Sequence, residues 1–425
     1  MSPSEPPSSP PDPPSSPPGR SSPAGSTPPG PIRLRGPADV VATLPYHLGY
    51  QPTDSLVLIG LHGPEGTQLG FVARVDLPRR QDEVWPTADA VAPLVLAQHP
   101  ERLLLVAYED GSSAAGSSDP LSRAVRDVVC DAGIEVAERL VVRDGRYWSP
   151  DCRDSCCPDE GTPVPAPPDV PAVADYVLLG RSPLQHRDDL AGLVTPRSAE
   201  SGVDGSEGSG APSRRLTAVV GLGRAFQDRR SGGRTQGPRP VGREPRCDAL
   251  QDWGLAAWRR LLTDEPGADG ADGADRWSPS DAAPPPPARY RGSAQPTTPD
   301  LGVLLAASLR DVALRDLVIT WLCPGSLDLD LLDPGLVRRA REVLPDGLPD
   351  EAFLTHRLAA LCRATPPKTA AAPLTVLANH VWWHGDGALA RTALDLALAQ
   401  EPGYRLAVLL ERMLDLAIPP RWRVA

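Results

Sequence analysis

The sequence predicts an α/β domain, a mixed sheet with helices, followed by an all-α domain. Three observations carry this prediction. Apolar runs of strand length alternate with helical patterns over residues 32–195. Residues 300–425 repeat their apolar positions with a period of about 3.6. Residues 1–31 and 196–299 are rich in Pro, Ser, Gly and charged residues, so we expect a disordered tail and a mostly disordered central insert.

Strands and helices are expected to alternate along the α/β domain. The elements are, in order, the strands SLVLIGLHG and TQLGFVARVDLP, the helix TADAVAPLVLAQHP, the strand ERLLLVAYED, the helix DPLSRAVRDVVCDAG and the strand pair EVAERLVVRDGRYWS. Thr87 is the expected cap of the first helix. The last two strands flank the turn Asp144–Gly145, and the stretch PAVADYVLLG favours a helix.

Charge is strongly segregated within the insert. Residues 212–246 contain nine arginines against Asp228 and Glu244, a local net charge of +7. Residues 263–281 have a local net charge of −5. Between them, residues 247–262 place apolar side chains on one stripe and predict one short helix. We interpret the charged flanks as solvated linkers.

The C-terminal half is predicted to contain a tetratricopeptide-like helical hairpin. A 34-residue template started at Ala371 places small or apolar residues at the packing positions and HGDG at the turn between the helices. One window earlier the template fails, because His356 and Arg363 stand where small residues belong. An ordinary pair of antiparallel helices obeys the same packing rules, so both interpretations stay open.

Composition excludes several classes of function. The chain has a net charge of −11, which argues against a protein that coats nucleic acid. Its single lysine, Lys368, has no glycine run before it, so a Walker-type phosphate loop is excluded. No apolar run is long enough to cross a membrane, and the N-terminus does not resemble a secretory signal. Seven sparse cysteines then favour a reducing cytoplasm, and no cofactor is expected.

Two pairs of residues near strand ends are candidate ligand-binding residues. Arg74 and Asp76 are two apart on a predicted strand and therefore share a face, where they could hold a polar ligand. A cross-strand or capping salt bridge at the strand end is the alternative. Asp54 and Ser55 open the first strand and are candidates through the family resemblance given below, although a turn-capping aspartate is the alternative.

Cys152, Cys156 and Cys157 form a dense group of thiols in a proline-rich loop. They supply at most three thiolates to a metal, whereas a structural zinc site needs four converging ligands. We therefore predict a structural corner with Cys156 or Cys157 buried and no bound metal. A metal site and a redox site remain the alternatives.

Six stretches along the chain carry a family resemblance. They are IRLRGPADVVATLPYHLGYQPTDSLVLIGL, FVARVDLP, RDGRYWS, CCPDEGTPVP, LLGRSPLQHRDDL and WWHGDGALARTALDLALAQEPGYRLAVLLERMLDLAIPPRW. Together they resemble a family of actinobacterial proteins catalogued as domain of unknown function 4192. The family name implies no activity. The resemblance implies that residues 32–195 and 300–425 belong together in one cytoplasmic protein.

Two hypotheses about function remain open. The first is a non-enzymatic scaffold, in which the helical domain contacts a protein partner through its hairpin. The second is an enzyme or small-ligand-binding protein. Its site would lie at the strand ends of the α/β domain, near Arg74, Asp76 and the Cys156–Cys157 loop. We favour the first, with no membrane and no nucleic acid as partner.

Overall fold

The computed structural model describes most of the chain from residue 34 onward. The described residues are 34–63, 68–110, 119–152, 154, 157–178, 180–197, 214–228, 245–263, 278–285 and 299–420. The disorder predicted for residues 1–31 lies outside these ranges, as does that predicted for most of residues 198–298.

The first half of the chain alternates strands and helices. They are α1 (Pro37–Leu48), β1 (Ser55–His62), β2 (Gln68–Asp76), α2 (Val84–Leu96), β3 (Arg102–Tyr108), α3 (Asp119–Asp131), β4 (Glu135–Arg143), β5 (Arg146–Trp148), β6 (Thr162–Pro163), α4 (Pro171–Leu178) and α5 (Asp189–Val194). The predicted strands are confirmed, and so is a helix in PAVADYVLLG. Thr87 is not the cap of α2, which begins three residues earlier; the Thr87 hydroxyl instead donates to the carbonyl of Glu83 within the helix.

The second half is helical, as its apolar period predicts. Its elements are α6 (Arg214–Asp228), α7 (Pro245–Leu262), α8 (Leu301–Ser308), α9 (Val312–Leu322), α10 (Pro334–Val343), α11 (Glu351–Ala364), α12 (Ala371–Trp383), α13 (Gly387–Gln400) and α14 (Arg405–Asp415). No described helix combines the length and the apolarity that a membrane span requires.

The six strands form one mixed sheet in the order β2-β1-β3-β4-β5-β6. β1 is antiparallel to both β2 and β3, whereas β3 and β4 are parallel. A turn at Asp144 and Gly145, both with positive φ, connects β4 to β5. This is the tight hairpin that the Asp-Gly pair predicts.

Both faces of the central strands are covered by helices. Leu56 and Leu58 of β1 pack on the side of α2 and α3, while Val57 and Ile59 pack on the side of α1. A strand covered on both faces needs apolar residues at every position, which explains the unbroken run SLVLI. The sequence analysis did not assign α1, which begins with Pro37 in its first turn and ends at Gly49 with φ 79°.

The helical half is built around α7 and α8. Trp253 and Trp258 of α7 are fully buried, and every residue of α8 is buried. The indole N–H of Trp258 donates to the hydroxyl of Ser308 at 3.0 Å. Because these large side chains lie between several helices, α7 is part of the core and not a linker segment.

The structure corrects the prediction of one short helix within residues 196–299. The described part of that stretch contains two helices, because residues 214–228 form α6 in addition to the predicted α7. Val219 and Phe226 of α6 are buried, and Val219 packs with Val303 and Ala306 of α8. The apolar positions have helical spacing, but arginines and glycines between them hide the pattern in the sequence.

The predicted hairpin is present as α12 and α13, which are joined by residues 384–386. Ala378, Ala390, Leu394 and Ala397, which the template matched, are all buried between the helices. These contacts are those of any close helix pair, so the tetratricopeptide-like character stays a prediction.

The burial of α6 generates a stability prediction. Phe226 is 1% exposed and Val220, on the same helix, is 37% exposed. We expect Phe226→Ala to lower the free energy of unfolding by about 3–5 kcal/mol, because a large core side chain leaves a cavity. Val220→Ala is the matched control and should change it by no more than about 0.5–1 kcal/mol. Urea unfolding followed by circular dichroism measures both; equal, small effects would mean that α6 does not pack as described.

Candidate functional site

The four strand-end candidates lie together at one end of the sheet. Ser55, the first residue of β1, is opposite Asp76, the last residue of β2. Asp54 has φ 41°, and its carboxylate accepts from the backbone N–H of Asp110, beyond β3, at 3.1 Å. Its carbonyl accepts from the backbone N–H of Leu77 at 2.9 Å. Asp54 therefore holds the ends of three strands together.

Arg74 and Asp76 form a salt bridge with each other, with 2.7 Å between Nη2 and Oδ1. The Arg74 side chain is 14% exposed and that of Asp76 is 73% exposed. Arg74 also donates to the carbonyl of Thr53. Ser55 is buried, and its hydroxyl meets no hydrogen-bond partner among the described residues. The arginine is thus already neutralised by a carboxylate on its own strand.

The cysteine loop lies elsewhere on the sheet. Cys152 and Cys157 follow β5, which is three places from β1 and so about 14 Å from it across the sheet. Both are half-buried, and their backbone N–H groups close turns onto Ser149 and Asp154. Cys156 lies outside the described residues. The structure therefore does not bring Cys152 or Cys157 together with Arg74 and Asp76.

A buried arginine anchors the beginning of this loop. Arg139 of β4 is 2% exposed and donates to both oxygens of Asp151, at 2.6 and 2.7 Å, and to Asp119 at 3.1 Å. The Arg139 guanidinium lowers the pKa of Asp151. Across the described part of the chain, no group of three or more His, Cys, Asp or Glu side chains is arranged to hold a metal ion. The structural, metal and redox interpretations of the thiols stay predictions.

A second candidate site is a groove between the sheet half and the helical half. Its volume is about 330 Å³. One wall comes from the end of α1 and from residues 180–193, and the other from α11, α12 and α13. α11 lines the groove from Glu351 to Arg363, which at 1.5 Å per residue corresponds to about 18 Å. We refer to this feature as the α11 groove.

α11 can line the groove because its opposite face is anchored in the core. Leu354, Leu358 and Leu361 are buried among the other helices. The Asp350 carboxylate accepts from the backbone N–H of Phe353 at 2.9 Å and caps the start of the helix. On the facing wall, Gly180 has φ 72° and ends α4, so that the following Arg181 reaches the groove.

A short parallel contact joins the two parts of the first wall, the segment after α1 and residues 180–193. Tyr50 pairs with Leu184, and the backbone N–H groups of Gln51 and Leu184 donate to Leu184 and Gly49, each at 2.9 Å. Tyr50 is 2% exposed and packs with the helical core. Burial raises its pKa, and the charges of Arg74, Asp76 and Asp386 also act on it. Tyr50 is therefore within electrostatic range of the strand-end residues and of Asp386 in the groove wall.

Acidic and basic groups meet at the N-terminal end of α11. Glu351 accepts from Arg181 at 3.4 Å and lies 3.6 Å from Nδ1 of His384. Burial raises the pKa of Glu351 and lowers the pKa of His384. Both shifts favour the uncharged form of the side chain, as expected for partly desolvated groups. Asp386, whose pKa burial also raises, caps α13 through the backbone N–H of Leu389.

His380 lies one turn before His384, with 4.7 Å between the ring centroids. It is fully buried, and neither ring nitrogen reaches hydrogen-bond geometry with a described residue. The backbone carbonyls of Leu322 and Glu351 are its nearest acceptors. Burial, with a smaller effect of His384, lowers the pKa of His380 to about 3. The imidazole is therefore neutral in the folded protein over the physiological range.

The C-terminal end of α11 has a different character. Arg363 is half-buried in the groove wall and donates to the carbonyl of Leu193 in α5. Its own carbonyl accepts from the backbone N–H of Arg197 at 3.0 Å. No described carboxylate forms an ion pair with Arg363. Burial and the charge of Arg197 lower the pKa of the Arg363 guanidinium.

The sequence analysis did not identify the α11 groove. It named His356 and Arg363 only as residues that break the tetratricopeptide template. Both line the groove, so the misfit was the signal. A large polar residue at a helix position that normally packs indicates that this face is not closely packed against a neighbouring helix along its length.

Comparison with known proteins gives one match. The model of the family described as Domain of unknown function (DUF4192) matches residues 37–421. No curated protein and no solved structure matches the chain.

The buried histidine generates a prediction about pH. Because the folded-state pKa of His380 is about 3 and its ordinary value is 6.5, between these values the unfolded chain binds a proton that the folded chain does not. Above pH 6.5 His380 does not change the free energy of unfolding with pH. Below pH 6.5 proton binding by the unfolded chain lowers the free energy of unfolding by up to about 1.4 kcal/mol per pH unit. His380→Leu should remove that dependence, so the variant gains stability relative to the wild type as the pH falls from 7 to about 4.

Unfolding in urea at a series of pH values measures the difference. His384, whose charge acts on His380, and Glu351, 3.6 Å from His384, are present in both proteins, so the difference between the two pH profiles reports mainly on His380. Thr375→Val, at a buried position of the same helix, is the control and should shift stability equally at every pH. A pH-independent difference between the wild type and His380→Leu would contradict the prediction.

Proposed function

The chain belongs to the DUF4192 family, and we propose that it is a small-molecule-binding protein whose ligand occupies the α11 groove. The observation that carries the proposal is the groove itself. It lies at the junction of two structural halves, has a volume of about 330 Å³, and presents polar groups at both ends of a partly apolar wall. Ligand sites are typically concave, mostly apolar and found at such junctions.

Uncommitted hydrogen-bonding groups support this location. The hydroxyls of Tyr46, Ser182 and Thr355 line the groove, and none of them bonds to another described residue. A hydroxyl without a protein partner contributes to ligand affinity when the ligand replaces the displaced water as its hydrogen-bond partner. At the strand ends, by contrast, the charge of Arg74 is balanced by Asp76. The two polar atoms there that lack a partner among the described residues, the Ser55 hydroxyl and Nε of Arg74, are buried away from solvent. The groove is therefore the better supported binding site of the two.

A second candidate function, binding of a protein partner, is supported by the outer face of α14. Val408, Leu409 and Leu416 are 42%, 60% and 52% exposed. Arg405 and Arg412 lie on the same face at helical spacing, and neither forms an ion pair with a described residue. An apolar stripe flanked by unpaired arginines fits an amphipathic helix with acidic residues beside its own apolar stripe. This is the partner that we propose for the helical half.

The groove is tested by filling it. Ala352, an exposed residue of α11, lines the groove, and Ala352→Trp should occupy it and abolish binding of small molecules. Ala90→Trp, on the exposed face of α2, is the matched control. Each full-length protein is incubated with a small-molecule extract of cells that express it, and the bound compounds are identified by mass spectrometry after denaturation. A compound retained by the wild type and the control, but not by Ala352→Trp, supports the proposal; identical profiles for all three contradict it.

The α14 surface is tested by replacing one of its exposed apolar residues with an acidic residue. Leu409→Glu should prevent binding of an acidic amphipathic helix, because it removes an apolar contact and adds a like charge. Leu178→Glu, at a leucine of α4 that is 85% exposed, is the control. Affinity capture from lysate with quantitative mass spectrometry should show one protein that Leu409→Glu loses and Leu178→Glu retains. Equal capture by both variants would contradict a role for α14.

A further inference from the structure

We propose that the ligand of the α11 groove carries an anionic group, a carboxylate or a phosphate, and that Arg363 binds this group at the end of the groove next to α5. The inference rests on the proposed function and adds the chemical class of the ligand. It concerns a small anion and not a macromolecule, because the groove of about 330 Å³ is at the small end of the range for ligand sites.

The first argument is the charge balance along the groove. Arg181, which also lines it, is already bound to Glu351 at the opposite end. Among the described residues, Arg363 meets no carboxylate and its guanidinium donates only to the carbonyl of Leu193. A guanidinium has five N–H donors. Several donors of Arg363 therefore remain available, in the fork arrangement that binds carboxylate or phosphate with two parallel hydrogen bonds.

The second argument is a neighbouring positive charge. Arg197 is tied to Arg363 by its backbone, and its charge is close enough to lower the pKa of Arg363. Arg197 forms no ion pair with a described carboxylate either. Two like charges beside a half-buried site destabilise each other unless an anion binds between or beside them. A bound anionic group would remove this repulsion and recover part of the desolvation cost of Arg363.

Arg363 is the residue on which anion binding at this end of the groove depends. It lies in the last turn of α11, where the helix dipole places partial negative charge. The helix itself therefore does not attract an anion to this end, and the guanidinium must do so. The side chains of Thr355 and His356, two turns earlier in the groove wall, can donate to other polar atoms of the same ligand.

The test uses the full chain with inorganic phosphate and with succinate as probes, followed by isothermal titration calorimetry. We expect both anions to bind the wild type, and Arg363→Gln to weaken the binding about tenfold or more, because a charge-assisted hydrogen-bonding group is lost. Arg341→Gln changes the net charge equally but removes an exposed arginine of α10 outside the groove, and should bind as the wild type does. Circular dichroism verifies that the variants fold.

Arg363→Lys keeps the charge without the fork and should bind with intermediate affinity, which keeps the test valid if Arg363→Gln does not fold. Anion binding that is lost in Arg363→Gln and retained in Arg341→Gln supports the inference. Equal anion binding by the wild type and all Arg363 variants overturns it, as does an equal loss in Arg341→Gln.

The small-molecule extract separates this failure from failure of the proposed function. If Ala352→Trp abolishes retention of a compound that Arg363→Gln still retains, the groove is a binding site and its ligand is not held through an anion. If neither Ala352→Trp nor Arg363→Gln changes the retained compounds, the groove is not the binding site, and both the proposed function and the anion proposal are wrong.

Discussion

Burial of β1 and β3 on both faces is the constraint on which the rest of the structure depends. The two strands are apolar at nearly every position, so helices must cover both sides of the sheet. α2 and α3 cover one side, and α1 covers the other. The end of α1 then places Tyr46, His47 and Tyr50 against the helical half. The groove exists because the helix that completes the sheet core also forms one of its walls.

α11 has two roles that impose different requirements on its two faces. Its leucines anchor it in the helical core, and its other face is left without a packing neighbour along the groove. The charges at its two ends differ in how they are balanced. Glu351 contacts Arg181 and His384, whereas Arg363 meets no carboxylate among the described residues and is close to the carbonyl of Leu193 and the charge of Arg197. The two ends of the groove therefore differ in charge balance and are not equivalent as sites for a ligand.

The sequence indicates that Arg74 and Asp76 share one face of a strand, but it does not indicate the groove. Arg74 and Asp76 are two residues apart, so their shared face follows directly from strand geometry, and their salt bridge is the local alternative that the pattern allowed. The groove combines Tyr46, Arg181 and Arg363, which are far apart along the chain. No local spacing relates such residues, because their proximity depends on how the two halves pack.

The sequence by itself determined the local features of this protein: its strands, the Asp144–Gly145 turn and the period of its C-terminal helices. These follow from interactions among near neighbours, which fix backbone preference and the spacing of apolar side chains. The tertiary structure decided the burial of α6 and the unpaired charge of Arg363. Both depend on which distant surface a side chain meets, because burial and charge compensation are properties of the packed neighbours and not of the residue itself.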